Sequence, residues 1–102
     1  MDPFKPYTPS IRVAPPPALS VEDAQAVALK AVAFIAADDE LLPRFVQLTG
    51  CGLDEIRQGV ADAVFLGGVL DFVLAHEPTL LAFVAAAGLA PETPMAARAK
   101  LP

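Results

Sequence analysis

The chain predicts an all-α fold, a compact bundle of five to six helices, and a few features of the sequence carry that expectation. Alanine supplies 20 of the 102 residues and tryptophan none, and alanine has the strongest intrinsic helix preference. Apolar residues recur at helical spacing between residues suited to cap helix starts and glycines suited to close helix ends. Finally, Ala33–Gly50 (AFIAADDELLPRFVQLTG) returns 38 positions later as Asp71–Gly88 (DFVLAHEPTLLAFVAAAG). Phe34 aligns with Phe72, Ala37 with Ala75, Leu42 with Leu80, Phe45 with Phe83, Val46 with Val84 and Gly50 with Gly88, and acidic Asp39 meets acidic Glu77. This echo predicts an internal duplication, one helix–corner–helix unit used twice, with crossing angles unlike those of a simple antiparallel bundle.

Residues 1–19 hold six of the eleven prolines. Pro3, Pro6 and Pro9 recur every third residue, and Pro15–Pro17 are consecutive. Proline removes backbone donors and fixes φ, so this stretch predicts an extended or disordered leader ahead of a helical domain over 20–102. Phe4, Tyr7, Ile11 and Val13 could anchor the leader on a groove of this or another protein.

Ser20 starts the first helix as an N-cap, with Asp23 placed for a capping box. Val21, Ala24, Ala28, Ala31, Val32 and Ile35 form its apolar stripe, and it runs to about Ala37. Asp38 and Asp39 make a corner in which Asp39 is the expected cap of the second helix, with Glu40 favouring its dipole. Leu41, Leu42, Phe45, Val46 and Leu48 supply the buried side of that helix, Pro43 sits early enough to cost little, and Gly50 fits the C′ position. Asp54 is the expected cap of a short third helix carrying Ile56 and Val60 inward, with Gly59 weakening it. Asp62 caps a fourth helix, Ala63–Ala75, so apolar all round that it should be the central one; one bent helix from Asp54 to Ala75 is the alternative. Gly67 and Gly68 would admit a close neighbour there. His76 and Glu77 mark the second corner, Pro78 opens a fifth helix near N1, and Gly88 closes it. Beyond Pro91 and Pro94 a last amphipathic turn or two would point Met95 and Leu101 inward.

The net charge of −5 is uneven. Residues 20–77 hold ten acids and three bases, a net of −7, while the flanking segments carry +1 each. Clustered Lys and Arg are what phosphate backbones bind, so nucleic acid is an unlikely partner. No polybasic run offers a membrane footing, and the longest apolar runs are shorter than the ~20 residues of a span. One cysteine, Cys51, permits no internal disulfide, and MDPFKPYTPS has no apolar stretch like a signal peptide's. These features predict a soluble cytoplasmic protein.

ALKAVAFIAADDELLPRF (Ala28–Phe45) and FLGGVLDFVLAHE (Phe65–Glu77), with Phe83 after them, resemble a family of short bacterial helical proteins, domain of unknown function 3572. The resemblance spans Ala28 to about Leu89 and leaves the leader unmatched. Cys51–Gly52 depart from it by lengthening the turn after Gly50, and His76 stands where an acid is expected. The resemblance implies an all-α fold and a bacterial, cytoplasmic origin. It implies no activity.

No motif amounts to a catalytic signature, and no cofactor or metal site is predicted. His76–Glu77 is the one His–acid neighbour pair, but a zinc helix needs a second His four residues on, where Leu80 stands. Cys51 lies beside Asp54 and Glu55, which disfavour a thiolate, so a Cys–His pair is not expected. Acids at the two corners (Asp38, Asp39, Glu40 and Glu77) would need to converge to hold a cation, and helix capping accounts for them more simply. Asp71 is an acid in a buried-looking helix, so it should pair with Arg57, Arg44 or Lys30, or accept backbone N–H groups. FVQLTGCGLDEIRQGV (Phe45–Val60) has a helix-turn-helix outline, yet its second helix would carry two acids against one base. Asp71, His76, Glu77 and Arg57 are therefore the candidate polar site, structural or at an interface. The expected function is a small non-enzymatic protein-interaction or regulatory module, binding a protein partner or a second copy of itself. A helix-turn-helix-like nucleic-acid regulator and a small-ligand carrier are the alternatives.

Overall fold

The computed structural model describes residues 19–102, so the leader's expected extension and anchors, apart from Leu19, lie outside the described residues. Six helices follow in order: α1 (Val21–Ala36), α2 (Leu41–Thr49), α3 (Leu53–Gly59), α4 (Ala63–Leu74), α5 (Glu77–Ala87) and α6 (Thr93–Arg98). No strand occurs among the described residues. The fold class is all-α, and α3 and α4 are separate helices.

The first four helix starts each have a chemical cause. Ser20 Oγ accepts from the Asp23 N–H at 3.0 Å while the Ser20 N–H donates to Asp23 Oδ2 at 3.2 Å, a complete capping box. Asp62 Oδ1 accepts from the Val64 N–H at 2.9 Å and caps α4. At the first corner Asp38, not Asp39, does this work: its Oδ1 accepts from the N–H groups of Glu40 and Leu41 at 2.8 and 2.9 Å. Asp54 is likewise not a cap. Helix α3 begins one residue earlier, at Leu53, and Glu55 Oε1 reaches back to the Gly52 N–H at 2.9 Å. Pro78 sits second in α5, behind Glu77.

Both closing glycines are left-handed, Gly50 at φ 74° and Gly88 at φ 67°. Ala37 and Ala75 both end their helices, and Phe45 and Phe83 are both buried. The two echoed stretches diverge elsewhere. Phe34 is half-buried where Phe72 is buried, and Asp38 caps its corner with a side chain where His76 makes no side-chain cap.

Helices α1 and α4 form the centre: α4 packs against α1, α3, α5 and α6, and α1 against α2, α4, α5 and α6. The buried face of α4 comprises Leu66, Gly67, Val69, Leu70, Phe72 and Val73. Helix α5 leaves α4 at a bend of 111°, so the helices cross steeply rather than lying antiparallel. Phe83, Leu70, Val69 and Val73 are the largest fully enclosed apolar side chains, together with Pro94. Phe45 stacks edge-on between Phe65 and Phe72, at centroid distances of 6.3 and 5.2 Å. The alanine stripe Ala24, Ala28 and Ala31 lies on the side of α1 that admits α6 closely. Pro94, Ala97 and Leu101 are the inward residues of that last segment; Met95 is 67% exposed, contrary to expectation. Against a wall of alanines the small residues pack and the long one is left outside. No single helix among the described residues is long and apolar enough to cross a membrane.

Asp38 gives the fold an acid-sensitive corner. Its hydrogen bonds from the Leu41 N–H and then the Glu40 N–H hold its carboxyl below the usual carboxylate range. A carboxyl depressed on folding stabilises the native state above its unfolded value, about 3.9, and that contribution is lost as pH falls through the lower folded value. The Tm of wild type should therefore drop more steeply than that of Asp38→Ala on acidification below about pH 4. Parallel Tm–pH curves for the two proteins would refute the capping role.

Candidate functional site

Three surface features hold the polar and apolar groups that could act on another molecule. The first joins α4 to α6. Asp71 does not pair with Arg57, Arg44 or Lys30; its partner is Arg98, 27 residues away in sequence. Arg98 Nε donates to Asp71 Oδ1 at 2.7 Å and Nη2 to Oδ2 at 3.2 Å, a two-pronged pair. Arg98 Nη1 also donates to the carbonyls of Leu101 and Pro102, at 3.0 and 3.2 Å. The guanidinium thus clasps the chain after α6 against α4, and the Asp71 hydrogen bond raises its proton affinity further. The Asp71 side chain is 60% exposed, so it is not the buried acid its helix suggested. Solvent screens such a pair. Asp71→Ala should lower the Tm by no more than about 5 °C. A loss several times larger in thermal melts would show that the clasp carries more of the fold than its exposure allows.

The second feature sits where α2 meets the α4–α5 corner. Thr79, the one buried polar residue among the described residues, receives Arg44 Nη2 at 3.3 Å and lies 2.7 Å from His76 Nδ1. Arg44 can only donate, so the hydroxyl accepts there and shares a second hydrogen bond with Nδ1. The Arg44 guanidinium also covers the Phe72 ring, 5.3 Å from its centroid. This network ties α2 to the corner. The Thr79 hydroxyl is buried, and among the described residues no carboxylate is hydrogen-bonded to it or to the imidazole.

Of the expected polar site, His76 and Glu77 are chain neighbours at this corner, with Glu77 the first residue of α5. Asp71 is engaged with Arg98, and Arg57 pairs locally with Asp54 at 3.0 Å on the exposed face of α3. Asp71 and Arg57 therefore hold different partners and are not brought together. Cys51 is free, with Sγ 3.9 Å from the Thr49 carbonyl oxygen. No group of three or more His, Cys, Asp or Glu among the described residues is arranged to hold a metal ion. The α2–α3 pair keeps the outline of a helix-turn-helix, but Asp54 and Glu55 occupy the first turn of α3, where a phosphate would have to approach.

The third feature is an open apolar trough between α1 and α5, about 340 Å³ in volume. Half-buried Phe34 forms its floor, backed by the fully enclosed Phe83 ring 5.5 Å away and tilted by 55°. Ala33, Ala86 and Ala87 form low walls, and Lys30 stands at its edge. Helix α1 presents Ala33 outward one position before Phe34, so the small residue leaves the aromatic edge uncovered. Sequence reasoning missed this trough, because Phe34 and Phe83 entered it only as members of the echo and of the family resemblance, not as neighbours of each other. The available signal was the pairing of each with exposed alanines.

These features describe a small all-α domain whose polar clusters tie helices together and whose open concavity is apolar. The chain matches the family described as protein of unknown function (DUF3572) over residues 21–102, and it belongs to that family. The match is wider than the resemblance read at Ala28–Leu89 and takes in α6 and its clasp. No curated protein and no solved structure matches the chain.

Proposed function

We propose that this chain is a small non-enzymatic protein-interaction or regulatory module whose contact surface is the α1–α5 trough. The observation that carries this reading is the trough itself, an aromatic floor left open between alanine walls. Small-molecule sites are mostly enclosed and add several convergent polar groups. This one is open and offers only Lys30. An extended or helical polypeptide covers such a surface better than a small ligand, because it can bury the aromatic edge and fill the length between two helices. The single cysteine supports a reducing compartment, and we place the protein in a bacterial cytoplasm.

The test is a pair of exposed substitutions, Ala33→Glu with Ala86→Glu, made in the full chain. Both sites face solvent and both tolerate a helix former, so the Tm should stay within a few degrees. Wild type, passed through nuclease-treated lysate, should retain a stoichiometric protein that the doubly substituted chain loses about tenfold or more, which is ~1.4 kcal/mol. Equal retention by both proteins would overturn the reading. So would salt-sensitive DNA binding that the two glutamates leave unchanged.

A further inference from the structure

We infer that α3 is a lid that detaches and melts on its own, uncovering an apolar cleft between α1, α2 and α4 while the rest of the fold stays closed. Three observations carry it. The first is how little holds α3. Ile56 is its sole buried residue, and Leu53, Asp54, Glu55, Arg57 and Gln58 face solvent. Helix α3 packs chiefly on α4, where Gly59 admits the Phe65 ring; a Cβ there would lie 2.5 Å from Phe65 Cγ.

The second is where its polar bonds go. Glu55 Oε1 accepts from the Gly52 N–H, Arg57 pairs with Asp54, and the Cys51 N–H donates to Thr49 Oγ1. Among the described residues, every side-chain hydrogen bond of 51–60 closes within three positions along the chain. Helices α2 and α6 differ, since Arg44 ties α2 to Thr79 and Arg98 ties α6 to Asp71. Lifting α3 breaks no such tie. Once detached, a helix of seven residues has too few internal bonds to persist in water.

The third is what lies beneath. Ile56 closes a cleft of about 10 Å³ lined by Val32, Ile35 and Ala36 of α1, Phe45 of α2 and Phe65 of α4. Every one of these side chains is apolar, so the cleft offers water no hydrogen bond and Ile56 alone stoppers it. Gly50 and Gly52, on either side of Cys51, give the chain a pivot ahead of α3. The trough on Lys30, Ala33 and Phe34 uses a different face of α1 and plays no part.

Amide exchange of the unmodified full chain in sub-denaturing urea is the test. The amides of Ile56 and Val60 donate to the Gly52 and Ile56 carbonyls. Without urea they should be protected at least about 100-fold less than the amides of Leu70 and Val73 in α4. Their exchange should stay nearly flat as urea rises, because a lid exposes little surface, whereas exchange in α4 should climb steeply. Protection and urea dependence equal to those of α4 overturn the inference. A second readout follows the stopper itself. In Cys51→Ser with Ile56→Cys, the thiol at position 56 should react with a water-soluble disulfide reagent at a rate equally flat in urea. A labelling rate that climbs with urea as α4 exchange does means that position 56 is uncovered only by global unfolding while the ends of α3 fray, and overturns the inference too. Should that variant not fold, the amide exchange of wild type decides alone.

Discussion

Phe83→Ala should be the most damaging single truncation in this protein. Phe83 is fully enclosed, the largest of the wholly buried side chains, and it packs 5.5 Å from Phe34 at the junction of α1 and α5. Truncating such a residue removes its transfer free energy and leaves a cavity that its neighbours fill only in part, a loss of about 3–5 kcal/mol. A small domain holds only about 5–15 kcal/mol in total. The Tm followed by far-UV circular dichroism should fall by at least about 12 °C, at ~4–8 °C per kcal/mol for a domain of this size. Phe34→Ala, on the half-exposed side of the same pair, should cost less, because solvent already touches that ring. A Tm loss under about 5 °C for Phe83→Ala, or equal losses for both, would mean that the α1–α5 junction is not packed as described.

That contrast also bears on what the sequence reveals. In the two echoed stretches the closing glycines Gly50 and Gly88 are each left-handed and Phe45 and Phe83 are each buried, which is a property of single helices and not of a repeated unit. Such features are local: a cap, a turn and a helical stripe depend on residues three or four apart, and Ser20, Asp62, Gly50 and Gly88 were all legible for that reason. The choice of Asp38 over Asp39 was not, because two adjacent acids differ only in whether Oδ1 can reach two N–H groups at once. Long-range partners were illegible for a different reason. The sequence reading offered Asp71 only bases that precede it, Arg57, Arg44 and Lys30, whereas its partner Arg98 follows it, in the stretch read as a last amphipathic turn or two. Met95 was assigned inward by its hydrophobicity. Close contact with the alanine face of α1 instead selected Pro94 and Ala97. The trough is a property of two helices at once, so neither helix announces it.

Gly67 and Gly68 are adjacent in α4 and should respond to alanine with opposite sign. A Cβ at Gly68 meets nothing within 4 Å, while one at Gly67 would lie 2.9 Å from the Pro102 oxygen, 3.1 Å from Arg98 Nη1 and 3.2 Å from Arg98 Cζ. Both substitutions gain about 1 kcal/mol of helix propensity. At Gly68 that gain is unopposed, and the Tm should rise by about 5 °C. At Gly67 the methyl group enters the notch where Arg98 gathers Asp71 and the carbonyls of Leu101 and Pro102. Either the guanidinium or the closing carbonyls must move, and Gly67→Ala should be neutral to destabilising despite its better propensity. Gly67→Leu leaves no room for adjustment. Overpacking of this kind costs about 1–3 kcal/mol before any lost contact is counted. It should also lift α6 from α1 and α4, uncovering Ala97 and Leu101, which are buried in the native fold. The Tm of Gly67→Leu should therefore fall by about 10 °C or more, with faster amide exchange in 93–102 than in α2. Equal stabilisation by alanine at both glycines would show that the chain after α6 does not close over Gly67, and the Arg98 clasp would go with it.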